Sequence, residues 1–350
     1  MGRTSCLDRP SPCVDRETLN GRIRREAALT IEHAVVREKL KPWGTSDLLP
    51  WSKISTSAGP IGELWFERAD VSAPETALLF KLLFTTEPLS IQVHPDDAFA
   101  RSIGLSSGKT EAWYILSAIA GAVVAVGLKH PLSSAELRTA IADGSIADIV
   151  HWHPVRLGDV IFVPAGTIHA IGAGIVLAEI QQRSDATFRL FDYSRQRELH
   201  VDLAVAAAMA GPAERQLPPE QLNDARKALV VNPHFILELV DLVPDSVWTL
   251  DAPNETWILV IAGHAQMGST KLSLGEVVFL EADHAAIEAG ADGLRALLAY
   301  LGPNVNRDAL KARRANGAAT ASRASSRAPA LPVPFEHSTL NQSEMPTWPS

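Results

Sequence analysis

The sequence predicts a mainly β protein with two jelly-roll-type β-barrel modules, a small helical insert and disordered termini. Three observations lead there. Short runs rich in β-branched and aromatic residues recur through the middle of the chain, most of them punctuated by Gly, Pro or Asp. Helical patterns interrupt these runs instead of alternating with them, which argues against a parallel βαβ sheet. Two stretches also echo each other: Trp113-Tyr-Ile-Leu-Ser-Ala is matched by Trp257-Ile-Leu-Val-Ile-Ala, and Leu157-Gly-Asp-Val-Ile-Phe-Val by Leu274-Gly-Glu-Val-Val-Phe-Leu. Such echoes suit two barrels side by side.

Taken in order, residues 1–27 are polar and dotted with Pro and Arg, and read as a flexible arm. The first module, 28–197, carries strand patterns at Thr76–Phe84, Leu89–His94, Ala112–Leu116, Ala122–Gly127, Asp159–Val163, Ile175–Ile180 and Thr187–Asp192. Its helical insert, Ser133–Asp143, opens on Ser-Ser-Ala-Glu, a capping signal, and continues with helical apolar spacing. Helix-like spacing at Val201–Met209 and Pro219–Leu229 predicts a helical connection over 198–230. The second module, 231–302, has strand patterns at Phe235–Leu242, Thr256–Ile261, Glu276–Leu280 and Arg295–Tyr300. From Pro303 onward Ala, Ser, Arg and Pro dominate without a regular period, so a disordered tail is expected over 303–350.

Composition narrows the function classes. A chain of 350 residues has room for two domains, and a net charge of -8 disfavours a general nucleic-acid binder. The 2 cysteines, Cys6 and Cys13, are too few for a disulfide framework and read as free thiols. No secretory leader and no membrane-length apolar run is apparent, so a cytoplasmic protein is expected. Ala77–Phe84, the longest strongly apolar stretch, is broken by Lys81 and suits a buried strand.

Chemistry concentrates in three segments. In Gln92-Val93-His94-Pro95, residues 92 and 94 share one face of a strand, with Ile91 and Val93 on the other. Glu111 opens the next strand after Gly108-Lys109-Thr110, and His169 follows a tight Pro164-Ala165-Gly166 turn. Two imidazoles, a carboxylate and an amide oxygen suit a divalent cation, zinc first, with cobalt, manganese, iron or nickel also compatible. A lone His in such a segment is more often a hydrogen-bonded core residue than a ligand, and a lone Glu at a strand start is usually solvated; an apolar barrel has little other reason to hold all four together. Arg189, within Thr187–Asp192, either faces the same cavity or pairs with Asp192 or Asp185 at the surface. Lys109 either faces the cavity or lies in a loop.

At these residues the chain resembles the type I mannose-6-phosphate isomerases, a zinc-dependent cupin family. The resemblance rests on Ile91-Gln-Val-His-Pro-Asp-Asp97, Gly108-Lys-Thr-Glu-Ala-Trp-Tyr114, Pro164-Ala-Gly-Thr-Ile-His-Ala170 and the Thr187-Phe-Arg-Leu-Phe-Asp-Tyr193 core, with weaker similarity at Lys41-Pro-Trp-Gly44 and Ile61-Gly-Glu-Leu-Trp65. It implies cupin modules and one zinc per subunit bound by Gln92, His94, Glu111 and His169. It further implies that Arg189 is catalytic, that Lys109 contacts substrate, and that the reaction interconverts mannose 6-phosphate and fructose 6-phosphate. The implied partner is a small sugar phosphate, with neither nucleic acid nor membrane, and monomer or homo-oligomer left open. An isomerase of another sugar and a non-catalytic sugar-binding cupin are the competing readings. For the general base, Lys109, a water on the metal and Asp192 stay open, and Lys109 or Arg183 is available for the phosphate.

Overall fold

The computed structural model describes residues 31–55 and 57–313. The arm expected over 1–27, with both cysteines, and residues 314–350 of the expected tail lie outside these. Among the described residues the chain is mainly β, with sheets of six, five and ten strands and four short helices. No helix among them is long and apolar enough to cross a membrane.

The six-stranded sheet runs in the order Val35–Thr45, Ile61–Glu67, Leu78–Thr85, Ile175–Gln182, Glu111–Ala118, Val160–Val163. Its central strand, Leu-Leu-Phe-Lys-Leu-Leu-Phe-Thr, is buried along its whole length because both faces are covered. Period-two alternation then assigns the faces. Phe80 and Leu82 turn outward, with Ala112, Tyr114 and Ile180, and pack on Phe235, Trp257 and Phe279 of the ten-stranded sheet. Leu83, Trp113, Ile115 and Leu177 turn inward against Val124, Val126 and Ile171 of the five-stranded sheet.

The five-stranded sheet is ordered Phe188–Phe191, Ile91–Val93, His169–Ile171, Val123–Leu128, Val150–Pro154. Its outer face presents Ile91, Val93, Ala170 and Leu190, and helices cover it with Leu137, Ala140, Ile141 and Ala204. The main covering helix, Ser134–Asp143, has the expected start: Ser133 and Glu136 form a reciprocal capping box. It stops at Gly144, whose φ of 82° is left-handed backbone that glycine adopts without a Cβ clash. With the apolar alternate residues held under helices, Gln92 is left pointing between the two sheets.

After Asp192 the chain departs from expectation in three places. Pro219–Leu229, expected as helix, forms a hairpin of Glu220–Asn223 and Arg226–Val231. Asn223 Oδ1 accepts the Ala225 N–H at 2.9 Å and turns the chain, and Ala228 pairs across to Glu238, so sheet burial overrides the helical spacing. The helical connection shrinks to Val201–Ala207. Residues just beyond Pro303, expected to be disordered, are held: Leu310–Ala312 pairs with Val247–Ala252, and Leu310 is buried.

The echoed segments form equivalent strand pairs with registers one residue apart. Trp113 lies opposite Ile161, whereas Trp257 lies opposite Phe279. A one-residue slip exchanges faces. Trp113 therefore looks into its module beside His169, while Trp257 looks out into the inter-sheet core.

A buried ion pair lies within the ten-stranded sheet. Arg226 meets Glu238 through Nε at 2.8 Å and Nη2 at 2.7 Å, and donates to the carbonyls of Asn306 and Arg307 at 2.7 and 3.0 Å. Tyr300 donates to Glu238 at 2.6 Å. Truncating one partner strands a charge in an apolar core, so Arg226→Met is expected to cost about 3–5 kcal/mol, measured by urea unfolding.

Candidate active site

Strand pairing builds the site. His169 lies directly opposite Gln92, and Gln92 lies opposite Arg189 on its other side. Directly opposed residues project from the same face, so Arg189, Gln92 and His169 form one row across three strands. Glu111 approaches from the facing sheet, opposite Gln181 and Val163. His94 sits one residue past its strand.

The converging groups are buried: His94, Glu111 and His169 are each 1% exposed. His94 Nε2 lies 3.4 Å from Glu111 Oε2, and His169 Nε2 lies 3.4 Å from Glu111 Oε1. One ligand atom from each of the three falls within 4.8 Å of the others. Each imidazole is fixed from behind. His94 Nδ1 lies 2.7 Å from the Ala186 carbonyl and His169 Nδ1 lies 2.9 Å from the Thr167 carbonyl. A ring nitrogen facing a carbonyl must carry the proton, so both Nδ1–H groups donate and both Nε2 lone pairs point inward.

This donor set fits a cation. Glu111 Oε2 is buried without a well-formed hydrogen bond, although Lys109 Nζ is 2.9 Å away. Two imidazole lone pairs and a carboxylate converging in a dry site repel one another unless positive charge lies among them. Gln92 shows its amide nitrogen to His169 Nε2 at 3.2 Å, while Ser90 donates to its Oε1 at 3.1 Å. Turning the amide over would offer oxygen instead, and a hydroxyl partner accepts either orientation.

Electrostatics separate the titratable groups. Burial, reinforced by the Lys109 charge, pushes His94 down to about 3. Burial also lowers His169, so both rings are neutral and ready to act as ligands. For Glu111, burial pulls upward, but the Lys109 charge beside it overcomes that and holds the carboxyl well below its usual range. Burial works against the Lys109 ammonium, and Glu111 and Glu179 outweigh it, raising the group. That direction is opposite to what a lysine acting as general base requires.

A second buried charge cluster adjoins the first. Glu179 lies beside Lys81 at 3.0 Å and accepts from Trp113 Nε1 at 3.1 Å. Lys81 in turn faces Glu63 at 4.0 Å, and Lys41 meets Glu63 at 3.0 Å. Burial, then the Glu111 charge, raises Glu179. Sequence reasoning did not single out Glu179; the signal available was Lys81, a cation inside an otherwise apolar strand.

Above these clusters opens a cavity of about 240 Å³ whose wall includes Gln92, Lys109, Glu179, Arg189, Arg197 and His200. Arg189 and Lys109 thus share it. Arg189 takes neither expected surface partner as an ion pair; its Nη1 donates to the Glu198 carbonyl at 3.3 Å. Asp192 is instead enclosed by Arg195 and Arg197, which does not suit a general base. Arg183 lies elsewhere, bonded to Thr76 at 2.9 Å, and does not reach this wall. Just past the echoed strand Val277–Leu280, His284 has a side chain 79% exposed and gathers no such shell.

Fold and site together define a class: a mainly β protein with a buried His/Glu/His centre under a charged cavity. No family model matches the chain. A mannose-6-phosphate isomerase from Streptococcus mutans serotype c is 32% identical over 236 residues, spanning 64% of this chain and 73% of that protein. Mannose-6-phosphate isomerase ManA of Bacillus subtilis is 35% identical over 177 residues, 47% of this chain and 56% of its own. A solved mannose 6-phosphate isomerase from Bacillus subtilis superposes with a TM-score of 0.69 at 25% identity, covering 77% of this chain and 99% of that one. A variant of phosphomannose isomerase from Salmonella typhimurium, 15% identical with a TM-score of 0.62 over 79% of this chain and 100% of that one, shares the fold. The chain belongs to the mannose-6-phosphate isomerase family.

The His94 shift has a measurable consequence. Its folded value of about 3 lies below the unfolded one near 6.5. Between these values the unfolded chain binds a proton that the native state does not, so stability falls as pH drops through that window. In chelated protein, lowering the pH from about 6.5 to about 3.5 is expected to remove on the order of 4 kcal/mol through this group. His94→Gln should flatten the slope in a pH series of urea midpoints.

Proposed function

We propose that the protein interconverts mannose 6-phosphate and fructose 6-phosphate by proton transfer between C2 and C1 through an enediol, with one zinc ion held by Gln92, His94, Glu111 and His169. The observation that carries this reading is the convergence of His94, Glu111 and His169, buried with inward lone pairs, beneath a cavity walled by Lys109, Arg189 and Arg197. Family membership supports the same reaction. When bound, the cation would supply Lewis acidity toward the oxygens on C1 and C2.

The remaining work falls to side chains. The C2 proton must be taken up and returned at C1, while negative charge collects on the enediolate oxygens. Arg189 keeps its positive charge at any working pH and has N–H groups free to face the cavity, so it can stabilise that charge. For the proton carrier, two nearby carboxylates driven in opposite directions separate the roles. Glu111, held low, stays an anion and suits a ligand; Glu179, raised by burial and set in the cavity wall, suits a group that takes and gives a proton. Lys109 remains an ammonium that can hold a sugar oxygen.

Residues 35–197, with facing sheets of six and five strands, make a cupin-type catalytic module, while Glu32–His33 pairs with Val277–Leu280 of the ten-stranded sheet. A second module of that type, begun by the Glu220–Asn223 hairpin, lacks the polar shell.

The test is metal analysis of the purified protein with a coupled assay on mannose 6-phosphate before and after chelation. Zinc near one per chain, and activity lost on chelation and restored by zinc, is expected. His94→Ala should lose both metal and turnover. Arg189→Ala should keep metal and lose about 10²–10³-fold in kcat. Near-normal kcat in either variant would refute the mechanism.

A further inference from the structure

Asp97, Thr110 and Gln182 stand beside the site without walling its cavity. Asp97 and Thr110 fall in two of the segments that mark the site in the sequence, and Gln182 ends the strand Ile175–Gln182. The proposed reaction gives none of them a task, yet their hydrogen bonds converge on one short stretch, Gly108-Lys109-Thr110. Asp97 Oδ1 accepts the Gly108 N–H at 2.8 Å. Gln182 Oε1 accepts the Thr110 N–H at 2.9 Å, and the Gln182 N–H donates to the Thr110 carbonyl at 3.1 Å. Gln182 Nε2 closes the circuit by donating to Asp97 Oδ1 at 3.0 Å. Between these contacts the Lys109 N–H donates to the Pro95 carbonyl at 3.0 Å.

The backbone is thereby fixed on both sides of Lys109. The two N–H groups that flank it end on the same Asp97–Gln182 pair. Gly108 lies so close to the preceding turn that a Cβ there would come within 2.6 Å of the Pro95 carbonyl oxygen. Thr110 Oγ1 also accepts the Ala165 N–H at 3.3 Å, and the Gly166 N–H donates to the His94 carbonyl at 2.8 Å, which ties the turn before His169 into the same assembly. Held in this way, Lys109 places its Nζ 2.9 Å from Glu111 Oε2 and 3.0 Å from His94 Nε2, in the cavity wall. Position 182 has a strict requirement. The Thr110 N–H only donates and the Asp97 carboxylate only accepts, so one acceptor and one donor are needed, which the Gln amide supplies and Glu or Met does not. Gln182 is 8% exposed, so water does not readily replace a lost partner. Burial pulls the Asp97 carboxyl upward, and the hydrogen bonds from Gly108 and Gln182 outweigh it, holding the group below its usual range as a strong acceptor.

We infer that Gln182, anchored by Asp97, is the positioning residue that aims the Lys109 ammonium at the substrate. The inference rests on the proposed isomerase reading, in which Lys109 holds a sugar oxygen, and deepens it. Gln182 acts through Lys109 and not by its own contact with the cavity.

A double-mutant cycle in the full-length, zinc-loaded protein tests it. Wild type, Gln182→Met, Lys109→Met and the combined variant are compared for kcat/KM on mannose 6-phosphate, zinc content and backbone amide exchange. Displacing a reacting group by about 1 Å slows turnover by up to about 10²-fold, so Gln182→Met should lower kcat/KM about 10–100-fold. Zinc should stay near one per chain, and the Thr110 N–H should exchange faster. In the Lys109→Met background the same substitution should lower kcat/KM by less than about threefold, because the side chain it aims is gone. Asp97→Ala, at a partly exposed position, should give a smaller loss that the Lys109→Met background absorbs in the same way. It carries the comparison if thermal melts show that Gln182→Met does not fold. A full-sized loss in the Lys109→Met background would make Gln182 a purely structural residue and overturn the inference. An unchanged kcat/KM or an unchanged Thr110 exchange rate in Gln182→Met would overturn it equally, with the isomerase reading left standing. A wild type inactive on mannose 6-phosphate overturns that reading and this inference together.

Discussion

Glu111 is a carboxylate held out of water, and the two sheets that enclose it are arranged around the consequence. A charge at 1% exposure persists only if positive charge lies beside it. Here the surroundings are two imidazoles with lone pairs turned toward it and one ammonium, Lys109. The neutrality of the rings follows from the same burial, and the backbone carbonyls of Ala186 and Thr167 fix their orientation. The Lys109 ammonium, 2.9 Å from Glu111 and 3.0 Å from His94 Nε2, steadies that charge from one side, and the inward lone pairs suit a cation on the other.

The second constraint is strand register. The Arg189–Gln92–His169 row exists because three short strands pair without slipping at those positions. What holds them is apolar: Ile91, Val93, Ala170 and Leu190 under the helices. The helical insert therefore acts at a distance, by denying those strands the alternative register in which Gln92 would face away. On the opposite sheet, Leu78–Thr85 does the same with two buried faces, one packed on the second module and one carrying Lys81 into the site.

Much of this was legible in the sequence, for local reasons. Gln92 and His94 declare a shared face by their spacing, the Gly-Lys-Thr-Glu and Pro-Ala-Gly-Thr-Ile-His phrases mark where functional groups leave strands, and the capping box announces its helix. What escaped was set by long-range pairing. Pro219–Leu229 has helical spacing but lies in a sheet because Arg226–Val231 is drawn alongside Phe235–Leu242. The stretch after Pro303 looked formless because its anchors, Arg226 and a strand near residue 250, are far away in sequence. The paired tryptophans seemed equivalent, yet a slip of one residue sends Trp113 to the site and Trp257 to the inter-sheet core. Glu179 gained its significance only when Lys81 and Trp113 were brought beside it.

The central claim is that His94, Glu111 and His169, with Gln92, share a single ion. Anomalous scattering recorded from crystals of the zinc-loaded protein on either side of the zinc absorption edge tests it most directly. One strong peak among His94 Nε2, His169 Nε2 and the Glu111 carboxylate is the expected result. A zinc-loaded crystal with no peak there, or with its peak at another cluster, would contradict the account.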